Sequence, residues 1–222
     1  MDVSTLPIPG TTWWTGAAIT CVALALALYG ELRDRLPLLY VFKPTASAGF
    51  LLAAVGSGAL DHRWGVTVFV GLLLSTVGDV ALMGRSRTAF LAGLGAFLLG
   101  HVAYIVAFAQ RGFDVQTAAI AFAPLGAVAG GFSAWLLPKV PRPMRPAVVA
   151  YVVIITVMVA LACGAHARAP HLLLPIGAVL FWLSDISVAI DRFVARTAGN
   201  RLWGLPCYYA AQLVLALAVA HP

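Results

Sequence analysis

Asp79 and Asp185 each lie inside a long apolar run, LLLSTVGDVALM and VLFWLSDISVAI. A carboxylate in such surroundings is costly unless it faces polar groups or water within a bundle, so each is a candidate functional residue. Their side chains are too short to reach an interface. Two such positions in separate segments imply one shared polar pocket. Carboxyls held in different surroundings are also how one site keeps a general acid and a general base at the same pH.

Other polar residues fall near the same depth. Lys43, Asp79, Asp185 and Tyr208 each sit about five residues inside one boundary of their segments, so at about 1.5 Å of rise per residue they reach one layer. His101 and Tyr104, three apart, share a helix face, as do Tyr208 and Gln212, four apart. Ser75 precedes Asp79 by four residues and Ser184 directly precedes Asp185, so their hydroxyls are candidates to support the carboxylates. Each has a plainer reading. His101 could be an interhelical hydrogen-bonder, Lys43 before Pro44 could snorkel to the interface, and Tyr208 and Tyr209 could belong to an aromatic belt.

The elements that must position these groups follow from composition. The chain has 222 residues, 62% of them hydrophobic and 10% charged, with a mean hydropathy of +0.95. A soluble surface needs roughly 25–35% charge, so this is expected to be an integral membrane protein, all-α, with residues 1–222 forming one polytopic helix bundle. Apolar stretches of about 18 residues or more predict about eight transmembrane helices. They run over Trp13–Tyr29, Leu38–Val55, Trp64–Met83, Thr88–Gln110, Val115–Leu137, Ala147–Cys163, Leu172–Ile190 and Leu202–Ala220. The N-terminal MDVSTLPIPGTT lacks the basic stretch of a secretory signal, so the first of these is expected to remain as a spanning helix.

The net charge of +6 does not point to nucleic acid, because the basic residues are scattered through loops without a contiguous face. Their distribution predicts topology instead. The loops after helices one, three, five and seven hold Arg33, Arg35, Arg85, Arg87, Lys139, Arg142, Arg145, Arg192, Arg196 and Arg201. The other loops hold Arg63, Arg111 and Arg168. Both termini are therefore expected away from the cytoplasm, with the polar layer near the cytoplasmic side. His62, His166, His171 and His221 fall on the opposite face, which disfavours a zinc site of several histidines. Cys21, Cys163 and Cys207 show no pairing pattern and read as small packing residues. Gly93-Leu94-Gly95 and the stretch from Gly126 to Gly131 are expected to allow close helix contact.

Phe42-Lys43-Pro44, Ser75-x-x-Gly78-Asp79-x-x-Leu82, Gly100-His101-x-x-Tyr104, Leu180-Phe181-x-x-Ser184-Asp185 with Ala189, and Tyr208-Tyr209-x-Ala211-Gln212 resemble, in order and spacing, the motif series of the YhhN-like lysoplasmalogenase family. The resemblance runs from helix two through helix eight. It implies a polytopic hydrolase, typically of eight helices, that cleaves the vinyl ether bond of lysoplasmalogens to a fatty aldehyde and a glycerophospho head group. It also implies that Asp79 and Asp185 are the motif carboxylates. The expected chemistry needs no cofactor and no metal. Asp79 and Asp185 would be catalytic, with Lys43, Ser75, His101, Tyr104, Ser184, Tyr208, Tyr209 and Gln212 binding substrate or supporting them. The expected partner is a membrane lysophospholipid, with its phosphate at Arg85, Arg87, Arg192 or Arg196 and its chain among apolar helix faces. Asp191 and Arg192 could pair with each other or meet a head group.

A rival from another class is a small-molecule or proton-coupled transporter using the same Asp pair. Its support is a possible duplication into two four-helix halves, since Asp79 and Asp185 are 106 residues apart and Tyr104 and Tyr208 are 104 apart. A scaffold without chemistry is a third reading, for which the short loops leave little surface. The sequence carries no signal for oligomeric state.

Overall fold

The computed structural model describes residues 10–84 and 86–220. The expectations for the first nine residues, for Arg85 as a phosphate contact and for His221 lie outside the described residues. Among the described residues the chain forms eight α-helices: α1 Thr11–Leu32, α2 Leu36–Gly56, α3 Arg63–Leu82, α4 Arg87–Arg111, α5 Val115–Leu136, α6 Arg145–Arg168, α7 Leu173–Phe193 and α8 Ala198–Ala218. Single 3-10 turns at Leu137–Lys139 and Arg142–Met144 join α5 to α6. All but α8 are long and apolar enough to cross a membrane. The exception is the helix that carries Asn200, Arg201, Tyr208, Tyr209 and Gln212.

Local chemistry sets the helix ends. The side chains of Ser86, Asp114 and Thr197 accept hydrogen bonds from the backbone N–H of Ala89, Thr117 and Asn200 at 3.0, 2.7 and 3.2 Å, as N-cap residues do. These bonds from Thr117 hold the Asp114 carboxyl below the usual carboxylate range. The Thr197 cap starts α8 at Ala198, four residues before the expected Leu202. Helix α6 runs past the expected Cys163 to Arg168. Nothing in Gly164 to Arg168 breaks it until Ala169, which precedes Pro170 and is extended, as a residue before proline prefers.

Successive helices pair as α1/α2, α3/α4, α5/α6 and α7/α8. Helix α3 also packs on α2, and α7 on α6; α4 packs on α6, and α8 on α2. The sequence α2–α3–α4 thus repeats in its packing as α6–α7–α8, and each triplet's last helix meets the other's first. The repeat covers three helices of each half: α1 also packs on α8, whereas among the described residues α5 makes no comparable contact with α4. Helix α5 stands outside, chiefly against α6.

Small residues bring the first pair together. A Cβ added at Gly16 would lie 2.5 Å from both Gly49 O and Ala53 N, and Thr20 donates its hydroxyl across the same seam to Ala46 O at 3.0 Å. The glycines singled out from sequence divide. Gly93 meets Leu82 of α3, whereas Gly95, Gly130 and Gly131 have open space on the Cβ side. Cys21 is exposed and Cys163 and Cys207 are half-buried, all three free.

One end of the bundle is closed by aromatic and imidazole rings. His62, preceding α3, stacks on Trp64 at 5.3 Å, and its Nε2 lies 3.1 Å from Val219 O. His171, preceding α7, places Nε2 2.9 Å from Ala218 O. Because Nδ1 of His62 accepts from Gly65 N, its Nε2 carries the hydrogen and donates to the end of α8. The Asp-bearing segments reach the other end.

Candidate active site

At that other end the helices separate around a cavity of about 580 Å³. Its rim comes from the end of α1 (Glu31), the end of α7 (Asp191 and Arg192), the following loop (Arg196) and the start of α8 (Arg201). Lys43, Asp79, Ser184, Asp185 and Tyr208 line it deeper down. Lys43 on α2, Asp79 on α3, Asp185 on α7 and Tyr208 on α8 therefore meet in one space, although the sequence separates them by as many as 165 residues.

Asp79 is 4% exposed. Its Oδ2 accepts the Ser47 hydroxyl at 2.9 Å, and Lys43 Nζ lies 3.9 Å from Oδ1. Lys43 and Ser47 are four residues apart on α2 and so share a face, which lets one helix supply both partners. The Tyr208 hydroxyl also interacts with this carboxylate, and lies 3.4 Å from Ser75 O. Tyr209 turns its hydroxyl to Lys43 O at 3.2 Å, tying α8 to α2.

Asp185 has different company. Its Oδ2 accepts the hydroxyl of Tyr151 on α6 at 2.9 Å and lies 3.6 Å from Nε2 of His101 on α4. His101 is fully buried, edge-on to Tyr151 and Phe181 with ring centroids at 5.2 and 4.6 Å. Neither ring nitrogen makes a hydrogen bond among the described residues, and Asp185 is the carboxylate that its Nε2 faces. Each carboxylate is thus served by the helix preceding its own in the chain, α2 or α6, and by one from the other half, α8 or α4.

Behind the cavity, Tyr104 donates to Gln212 Oε1 at 2.9 Å, joining α4 to α8. Both residues are fully buried. Phe97 and Phe181 pack edge-on against Tyr208 at 5.7 and 5.5 Å, fixing the ring that faces Asp79. Glycine makes room for this wall: a Cβ at Gly78 would lie 2.6 Å from the Phe97 ring, and one at Gly71 2.6 Å from Tyr104.

Two expected hydroxyls act elsewhere. Ser75 donates to Gly71 O at 2.9 Å and Ser184 to Phe181 O at 2.7 Å. Each satisfies itself on its own helix, as serines within helices commonly do, and the carboxylates draw on Ser47 and Tyr151 instead. Neither is marked in the sequence, because a lone serine in an alanine-rich helix and a lone tyrosine near a helix start carry no signal of their own. The Tyr208 and Tyr209 rings are buried, so neither is an aromatic-belt residue. Lys43 is 14% exposed and turned toward Asp79.

The rim also departs from expectation. Asp191 does not pair with Arg192. It meets Arg201 Nε at 3.3 Å and Arg196 Nε at 3.7 Å, while Arg192 lies over the Phe90 ring with its guanidinium carbon 4.4 Å from the centroid. Arg201 also binds Glu31 at the end of α1. Arg87 is exposed and does not line the cavity. Among the described residues no three His, Cys, Asp or Glu side chains are grouped to hold a metal ion.

The chain matches the YhhN family over residues 38–219. It is 33% identical over 219 residues to a protein of Mycobacterium bovis named Lysoplasmalogenase, covering 92% of this chain and 80% of that one. It is 30% identical over 209 residues to bovine and human proteins named Lysoplasmalogenase TMEM86A, covering 91% of this chain and 85% of each. No solved structure matches.

Proposed function

The chain belongs to the YhhN family, and from that membership and the geometry of its two carboxylates we propose that it hydrolyses the vinyl ether bond of a lysoplasmalogen. The observation that carries this function is that Asp79 and Asp185 face one cavity with unlike partners. Asp79 has an ammonium and a hydroxyl beside it; Asp185 has a phenol and an imidazole. Vinyl ether hydrolysis needs a proton donor for carbon and a base for the attacking water, roles that two carboxyls in opposite protonation states can fill.

Asp185 is the acid. It gives its proton to the vinyl carbon beta to oxygen, and the double bond's electrons form the new C–H bond, leaving an oxocarbenium ion. Asp79, the member paired with Lys43, is the base. It takes a proton from water as the water oxygen bonds to the cationic carbon, producing a hemiacetal. In the collapse, Asp185 takes back the hydroxyl proton and Asp79 delivers its own to the departing glycerol oxygen. The products are a fatty aldehyde and a glycerophospho head group, and both carboxyls return to their starting states. Tyr151 holds Asp185 in place; Ser47 and Tyr208 hold Asp79. The positive rim, with Arg192 and Arg196, takes the phosphate, and the excess of basic residues at this end supports a site near the cytoplasmic side.

The test is aldehyde release from a lysoplasmalogen by purified protein in detergent, run in D₂O beside a saturated ether analogue. The expected aldehyde carries one deuterium on the carbon next to the carbonyl, the analogue is untouched, and Asp79→Asn and Asp185→Asn are both inactive. Substantial turnover by both variants would end the two-carboxyl mechanism. Ion or solute flux in liposomes without aldehyde release would favour transport.

A further inference from the structure

A second cavity adjoins the first. It lies among α4, α5, α6 and α7, and its walls are apolar: Leu94, Ala129, Phe132, Val152, Ile155 and Trp182 among them. It is narrow, about 60 Å³ against about 580 Å³ for the polar cavity. A water needs roughly 10–15 Å³ on this scale, so the slot has room for a few methylene-sized groups. Phe132, Val152 and Trp182 are only half-buried, so the slot lies close to the outer surface of the bundle.

The two cavities share Leu82, Phe90, Phe97, Asp185 and Val188 in their linings. Asp185 is the only polar side chain of the five, so the one carboxyl common to both spaces stands where a polar ligand would turn apolar. Asp79, Lys43 and the arginines of the rim line the polar cavity alone.

We infer that the slot among α4, α5, α6 and α7 is the hydrocarbon-chain subsite for a single-chain lipid, with the bilayer as its route of entry. The inference rests on the hydrolase proposed above and extends it. With the head group in the polar cavity and the chain in the slot, the vinyl ether falls at Asp185 and within reach of water held near Asp79. Slot depth then sets chain preference. Ala129 and Ile155 lie toward the middle of the membrane, whereas Leu136 and Val148 lie near the rim end, about 10 Å away at 1.5 Å per residue.

Two measurements test this independently of one another. In the first, a lysophosphatidylcholine with a diazirine midway along its chain is photolysed with the protein and the adducts are mapped by mass spectrometry. They are expected on the slot walls, at Ala129, Phe132, Ile155 or Trp182, and to fall at least tenfold with excess unlabelled lysophosphatidylcholine. In the second, Ala129→Phe shortens the slot, and its kcat/KM for a long-chain lysoplasmalogen is expected to fall about tenfold relative to a short-chain one, the scale of adding or removing methylenes in an apolar pocket. Ile155→Ala deepens the slot and should move the ratio the other way, which covers the case of a poorly folded Ala129→Phe. Labelling of the slot by a protein that turns over no vinyl ether would support the subsite and overturn the hydrolase. Turnover with labels elsewhere and unchanged chain-length ratios in both variants would overturn the subsite and leave the hydrolase standing.

Discussion

The Tyr151 hydroxyl donates to Asp185 Oδ2 at 2.9 Å across the α6–α7 contact. It is the one hydrogen bond this carboxylate receives from a side chain among the described residues. The same ring packs edge-on against His101, so a single residue orients both groups around the proposed acid. Tyr151→Phe keeps the packing and deletes the bond. A hydrogen bond to a charged group contributes about 1.5–3 kcal/mol, and the expected result is a fall in kcat of roughly ten- to a hundredfold with little change in thermal midpoint. Full activity in a folded Tyr151→Phe protein would remove Tyr151 from the mechanism.

Lys43 and Asp79 form a second testable pair. Replacing one partner of a buried ion pair leaves the other uncompensated, typically costing about 3–5 kcal/mol. At 3.9 Å the pair is loose, so the lower end is expected. Asp79→Asn should lower the thermal midpoint in detergent, and Lys43→Met added to it should restore much of the loss. Neither change should restore turnover. Equal midpoints for the single and double variants would show that the pair contributes nothing to stability.

The proposed head-group contact at the rim can be tested apart from the chemistry. Arg196 is 57% exposed and stands clear of both carboxylates' direct partners. Arg196→Ala should raise KM several-fold for a phosphate-bearing substrate and leave kcat nearly unchanged, as loss of uniform binding does. An equal KM increase for an uncharged vinyl ether would assign the effect to something other than phosphate.

The Tyr104–Gln212 bond is a stability prediction. Tyr104→Phe leaves a fully buried carboxamide without its partner, at a cost of about 1–3 kcal/mol. Replacing both, Tyr104→Phe with Gln212→Leu, should recover part of it, with a coupling of about 0.5–3 kcal/mol. Additive effects on the thermal midpoint would show that the two side chains do not act together.

Hydropathy reveals the helices because each must hide its backbone polar groups in hydrocarbon, and Asp79 and Asp185 stand out because charge is expensive there. Where those carboxylates find partners is a different kind of information. Lys43 and Asp79 lie on successive helices, but no spacing relates Tyr151 to His101, or Glu31 to Arg201, which is 170 residues away. Asp191 and Arg192 are neighbours in sequence and point to different partners, since adjacent helix positions do not face each other. Ser75 illustrates the converse: its spacing from Asp79 is right for one helix face, yet its hydroxyl reaches its own Gly71 carbonyl first. The apolar slot is illegible in sequence because its walls are the residues any membrane helix would carry.

Sequence-adjacent pairing of the helices bears on how the protein is made. Each hairpin can form as the chain is inserted, but none holds a complete site: Lys43 arrives with the first, Asp79 and His101 with the second, Tyr151 with the third, and Asp185 and Tyr208 with the fourth. The last hairpin to be synthesised supplies one carboxylate outright and, through Tyr208 and Tyr209, the contacts that anchor the other's surroundings. Until it docks, polar side chains of the earlier hairpins face lipid or each other, a costly state. Completion of the fold is therefore favoured by the same buried groups that are proposed to do the chemistry, and a chain released before α8 is expected to be both inactive and a target for membrane quality control.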